Sequence, residues 1–140
     1  MRGYRAVSGV FDEFAGEPMK GFVVWLPMVR GDSEAAARAL LGGAADPRLR
    51  FAWDRDRHAG RLVSRTLGLK LLGVFPQTAW DVYLVYAPGI RWTEEAPPPP
   101  TNWEHQLGGL SRETRDRWLD PVRLAGEVRA ALSEVHAPVW

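Results

Sequence analysis

Residues 20–36 read KGFVVWLPMVRGDSEAA, and the change from strand to helix inside this stretch decides the fold. FVVWLPM (22–28) is a continuous apolar run of strand length, rich in β-branched and aromatic residues. Such a run predicts a strand buried on both faces, as in parallel sheets that carry helices on either side. Pro27 has no N–H to give and ends the pairing. The chain continues GDSEAAARALLGG (31–43), where Asp32 or Ser33 can cap a helix, Glu34 suits its positive end, and the paired glycines stop it. Ala35, Leu40 and Leu41 are the residues expected against the sheet.

Upstream, MRGYRAVSGVFDEF carries Tyr4, Val7, Phe11 and Phe14 at helical steps of three and four. No Ser, Thr, Asp or Asn precedes this stripe to accept the first backbone N–H groups, so the helix starts uncapped. AGEPMKG (15–21) then turns the chain. Downstream, DPRLRFAWD (46–54) reads as a short edge-like strand. DRDRHAGRLVSRTLGL (54–69) reads as a helix with Asp54 or Asp56 as cap, Leu62, Val63 and Leu67 on one face, and Gly68 at its end. This alternation argues for an α/β protein. TAWDVYLVYAPGIRW (78–92) predicts a β-hairpin turning at Ala87-Pro88-Gly89. Residues 94–103, EEAPPPPTNW, form a semi-rigid arm, because four successive prolines donate no hydrogen bond. A last helix is expected over 120–133, with Asp120 as cap, Pro121 at its first position, and Leu124, Val128 and Leu132 as its stripe.

At 140 residues the chain is one domain, 1–140, long enough to bury a core without staples. It has no cysteine, which excludes disulfides, Cys-ligated metals and thiol nucleophiles within these residues. Net charge is +1 with both signs interspersed, so nucleic acid is not an expected partner. No run reaches the ~18 apolar residues of a membrane span. All but two of the 18 Lys and Arg residues are Arg, and Ala, Gly and Pro abound, the mark of a GC-rich coding sequence in which stop codons are sparse and a start is easily misplaced.

The order helix, strand, helix, strand, helix, hairpin, helix resembles a thioredoxin-like domain entered just after its active site. More narrowly it resembles the redoxin branch of thiol–disulfide oxidoreductases and peroxiredoxins. KGFVVWLPMVRGDSEAA is similar to the family's second core strand and following helix, FAWDRDRHAGRLVSRTLGL to its strand, Asp-x-Asp loop and short helix, and WDVYLVYAPGIRW to its hairpin. The likeness covers residues 3–93 and the last helix. It implies a central mixed sheet of about four strands with a hairpin, flanked by helices. It also implies that the redox cysteines sit at the N-terminus of the first helix, where the helix dipole lowers a thiol pKa. Those positions precede Met1, as does the first core strand, which in this family lies between the second strand and the hairpin. Trp80 stands where the family carries a cis-proline, and Pro76 is four residues too early for that role. The resemblance thus implies the body of a thiol–disulfide oxidoreductase whose catalytic N-terminus is missing. It would be cytoplasmic as written, and periplasmic or extracellular with an upstream signal or anchor.

The residues present offer little chemistry of their own. His58, His105 and His136 are scattered, and Asp54, Asp56 and His58 read as a helix start rather than a cation site, so no metal or cofactor is expected. Ser64 and Ser111 lack a base nearby, and Glu94 and Glu95 are adjacent on the arm. Seven tryptophans are the unusual feature. Trp25 and Trp53 are expected in the core, whereas Trp80, Trp92 and Trp103 flank the hairpin and arm, either stacking on the prolines or forming an aromatic face with Asp81, and with His105 at its rim. That face defines the alternative function, a redox-inactive module that binds another protein. Without the first strand, residues 22–28 and 80–87 must pair directly in a closed four-stranded sheet or leave an edge open to self-association.

Overall fold

Side-chain hydrogen bonds mark the starts of three helices in the computed structural model, which describes residues 2–40, 46–69, 78–93, 95–108 and 112–135. Leu41, Gly42, Gly43, Pro76, Glu94, Ser111 and His136 lie outside the described residues. The order is α1 (Arg2–Glu13), β1 (Gly21–Trp25), α2 (Glu34–Leu40), β2 (Leu49–Trp53), α3 (His58–Thr66), β3 (Val82–Val85), β4 (Asn102–His105), a 3-10 turn (Arg112–Arg117) and α4 (Pro121–Val135). Ser33 Oγ accepts the Ala36 N–H at 3.1 Å and caps α2, while the Asp32 carboxylate takes the Met28 and Val29 N–H groups and turns the chain out of β1. Asp54 Oδ2 accepts the Ala59 N–H at 2.7 Å at the start of α3, and Gly68 closes that helix at φ +61. Asp120 Oδ1 accepts from Val122 and Arg123 at the start of α4. In α2 the register differs from expectation: Ala37 is the buried residue, Ala35 is exposed and Leu40 is 49% exposed.

The α/β class holds, but the single four-stranded sheet does not. Among the described residues there are two two-stranded sheets, β1 parallel to β2 and β3 antiparallel to β4. Residues 22–28 and 80–87 do not pair, so the closed sheet is not formed, and β1 and β3 each keep one ladder neighbour. The strand read as buried on both faces is covered on one, since Phe22, Val24, Arg50 and Ala52 are exposed along β1 and β2. The hairpin is also corrected. Its turn is present, with Gly89 at φ +84, but residues 90–92 are exposed and form no strand. Val82–Val85 pairs instead with Asn102–His105, beyond the prolines. Residues 90–92 can donate but stay exposed, and Pro97–Pro100 cannot donate, so the ladder on β3 begins only at Asn102, beyond the prolines. The arm expected over 94–103 therefore yields Asn102 and Trp103 to β4. It is pinned by hydroxyls: Tyr86 donates to the Pro98 carbonyl at 3.3 Å, Thr66 to Pro97 at 3.2 Å, and Thr101 Oγ1 accepts the Ala87 N–H at 2.9 Å.

Helix α1 joins the two sheets. Ala6 and Val10 pack with Leu119, Leu124 and Ala125, while Tyr4 meets Phe51 of β2 at 6.5 Å between ring centroids. Tyr83 and Val85 of β3 pack on the same Ala6–Val10 cluster. Burial of Gly3, Ala6, Val10 and Phe11 makes the face wider than the predicted stripe, because α1 meets a sheet and a helix at once. Arg48, at the start of β2, fixes the far end of α1. Its guanidinium donates to the carbonyls of Phe11 and Phe14 at 2.6 Å each and of Glu17 at 3.2 Å, lies 5.0 Å over the Phe11 ring, and pairs with Asp46 at 2.6 Å. These bonds satisfy carbonyls that a helix end leaves unpaired.

Hydrogen bonds from Arg48 hold the Asp46 carboxyl below its ordinary range. A depressed carboxylate contributes stability above its ordinary pKa that is lost as the pH falls through the folded value. Arg48→Met is therefore expected to lower the thermal midpoint by roughly 5 °C or more at pH 7. The gap to wild type should narrow in acid, as read by circular dichroism melts across pH 3–7.

Candidate functional site

A cleft of about 380 Å³ opens where the N-terminus of α1 meets the end of β1. Arg2, Gly3 and Tyr4 enter it from α1, Trp25 from β1, Asp81 from the approach to β3, and Gln106 and Trp118 from beyond β4. Two local features mark it. Asp81 holds a left-handed backbone at φ +48, a conformation that costs energy for a residue with a side chain. Its carbonyl accepts the Gln106 N–H at 2.8 Å, which ties the strained residue to the chain just beyond β4. The Trp25 indole N–H is buried with no acceptor, an unpaired donor beside the cleft.

The cleft wall depends on glycine. A Cβ on Gly3 would stand 1.6 Å from the Tyr83 hydroxyl, so only glycine lets α1 lie on β3. Tyr83 donates to Gln106 Oε1 at 3.1 Å, and burial, reinforced by the Asp81 charge, pushes its phenol far above the ordinary range. It is a structural donor here, not an acid at neutral pH.

The residues singled out from the sequence separate. Asp81 lies in the cleft. Trp80 and Trp103 pack together on Leu69, Ala79 and Leu107, with the Arg117 guanidinium 5.0 Å over the Trp103 ring. Trp92 is 53% exposed and meets Tyr86 edge-on, 5.8 Å away. His105 is not at a rim: it is buried between Trp103 and Trp118, with both rings 5.7 Å away, and its Nδ1 accepts the Leu107 N–H at 3.0 Å. Sequence reasoning missed Arg2, Tyr4, Gln106 and Trp118, and placed Trp25 in the core. Beyond Asp81, the sequence signal at this site was the uncapped start of α1.

A second polar cluster ties β4 to α4. Glu104 is fully buried, and its carboxylate accepts the Asp120 N–H at 2.8 Å and the Arg123 Nε–H at 2.5 Å. Glu127 lies near enough to feel it: burial, then the Glu104 charge, raises its pKa, and its Oε2 has no hydrogen-bond partner. No group of three or more metal-ligating side chains occurs among the described residues, and no helix there is long and apolar enough to cross a membrane. In comparisons with known proteins, no family model, curated protein or solved structure matches the chain.

Two outcomes are expected. Gly3→Ala should destabilise by about 1–3 kcal/mol in denaturant melts, its overlap with Tyr83 outweighing the gain in helix propensity. A carboxyl whose pKa is raised on folding opposes the fold once ionised, so stability is lost as the pH rises through the folded value. Glu127→Gln should thus raise the thermal midpoint at pH 7, and the gain should vanish below pH about 4.

Proposed function

We propose that these residues are the body of a thioredoxin-like thiol–disulfide oxidoreductase, whose cysteine-bearing strand and loop enter α1 from upstream. One observation supports the reading: α1 packs against both sheets, and among the described residues each sheet has only two strands, so β1 and β3 each have a single ladder neighbour. Helix α1 runs against the direction of β1, since its last turn is held at the start of β2 while Arg2 and Tyr4 share a cleft with Trp25 at the end of β1. A strand leading into α1 and crossing over to β1 would therefore lie parallel to β1 and finish at Arg2. Seated between β1 and β3, it would turn two open edges into one sheet. Cysteines at its end would stand at the positive end of α1, which stabilises a thiolate, and beside the cleft of Trp25, Asp81 and Trp118.

The test is to read the DNA in frame upstream of Met1 and to assay the extended protein for dithiol-dependent disulfide reduction. A strand-like run ending in Cys-x-x-Cys next to Arg2, with activity that the 140 residues alone lack, is the expected result. A stop codon immediately upstream, or an extension without cysteine, sinks the proposal.

A second reading, a redox-inactive module that binds another protein, is favoured by the exposure of Ile90 and Trp92, at 40% and 53%. In that case Trp92→Ala abolishes capture of the partner while leaving the fold intact.

A further inference from the structure

A groove of about 720 Å³ runs between α1 and α4. Its apolar lining includes Gly9 and Val10 of α1 and Val122 and Ala125 of α4. Glycine in a helix interior weakens the helix relative to alanine, so its presence calls for a reason. Internal packing supplies none, because a Cβ at Gly9 would meet nothing within 4 Å. Val122, at the start of α4, is 82% exposed. The rim carries Arg2 and Arg5, in the first turn of α1, where the helix dipole already disfavours positive charge. Neither pairs with a carboxylate among the described residues, whereas Arg129, also on the groove, is paired with Glu13.

We propose that this groove docks an amphipathic helix of a partner protein. Small and branched apolar side chains of that helix would sit over Gly9, Val10, Val122 and Ala125, and carboxylates on its flank would pair with Arg2 and Arg5. Charge complementarity selects the occupant: the groove presents unpaired cations beside an apolar lining, and the missing side chain at Gly9 lets a second backbone approach. The inference does not rest on the redox reading, since a redox-inactive chain carries the same groove.

The test titrates the 140-residue protein into a fluorescein-labelled helical peptide of about 16 residues with an Ala/Val stripe flanked by Glu, and into its Lys-flanked counterpart, reading anisotropy. The Glu peptide should bind and weaken as salt rises. Binding should weaken at least roughly tenfold in Arg2→Glu/Arg5→Glu and in Gly9→Leu, with Arg5→Glu alone replacing the double variant if its circular dichroism shows misfolding. Three results overturn the proposal: no binding of the Glu peptide, equal binding of both peptides, or binding unaffected by Gly9→Leu. Tighter binding of a single-stranded oligonucleotide, insensitive to Gly9→Leu, overturns it in favour of a polyanion site. A concentration-dependent dimer that Gly9→Leu dissolves overturns it in favour of a second copy.

Discussion

The Arg48 guanidinium, held over the last turn of α1, is the constraint on which the remaining architecture depends. A helix end leaves carbonyls without partners and carries partial negative charge, and a single planar cation with several donors answers both needs. By binding the Phe11, Phe14 and Glu17 carbonyls, Arg48 ties α1 to the start of β2 and sets its direction against β1. Asp46 braces the guanidinium from the other side, so the clamp is an ordered unit rather than a loose surface pair. With one end fixed, the other end of α1 must arrive beside Trp25, Asp81 and Trp118.

The same helix must also lie on β3 and α4, and small residues make that possible. Gly3 lets it touch Tyr83, while Ala6 and Val10 complete a core with Leu119, Leu124 and Ala125. Two local costs meet at its N-terminal end, the left-handed backbone of Asp81 and the unpaired indole of Trp25, while the left-handed Arg57 and the unpaired Glu127 Oε2 lie outside the cleft. Strain and an unmet donor in one small region mark a site more convincingly than either does alone. Glu104 is of another kind, because each of its carboxylate oxygens has a partner at the α4 start, and its role is to hold β4 against that helix.

Most helices were legible because their signals are local. Ser33 and Asp120 act as caps through hydrogen bonds within a few residues, Asp54 accepts the Ala59 N–H although Arg57 takes the cap position of α3, and Gly68 ends α3 by its own backbone freedom. Strand pairing was not legible in the same way. The run at 82–85 was visible, but its partner lies beyond four prolines rather than across the adjacent turn, a pairing that no local pattern encodes. The two-faced burial expected of 22–28 failed because hydropathy reports what a strand could bury, not what packs on it. Of the candidate residues, Asp81 reached the cleft, whereas His105 went into the interior, since aromatic neighbours in sequence say nothing about which side faces solvent.

By itself the sequence determined the α/β class, the absence of thiol chemistry in these residues, the caps at Ser33 and Asp120 and the turn at Gly89, all of which follow from side-chain chemistry acting over a few bonds. Only the tertiary structure decided that the strands form two sheets joined by α1, that Gln106 and Trp118 meet Arg2 and Asp81, and that a groove lies between α1 and α4. Those juxtapositions arise from the rigid direction imposed on one helix by Arg48 and from the close approach allowed at Gly3. Both are contacts between residues more than thirty positions apart.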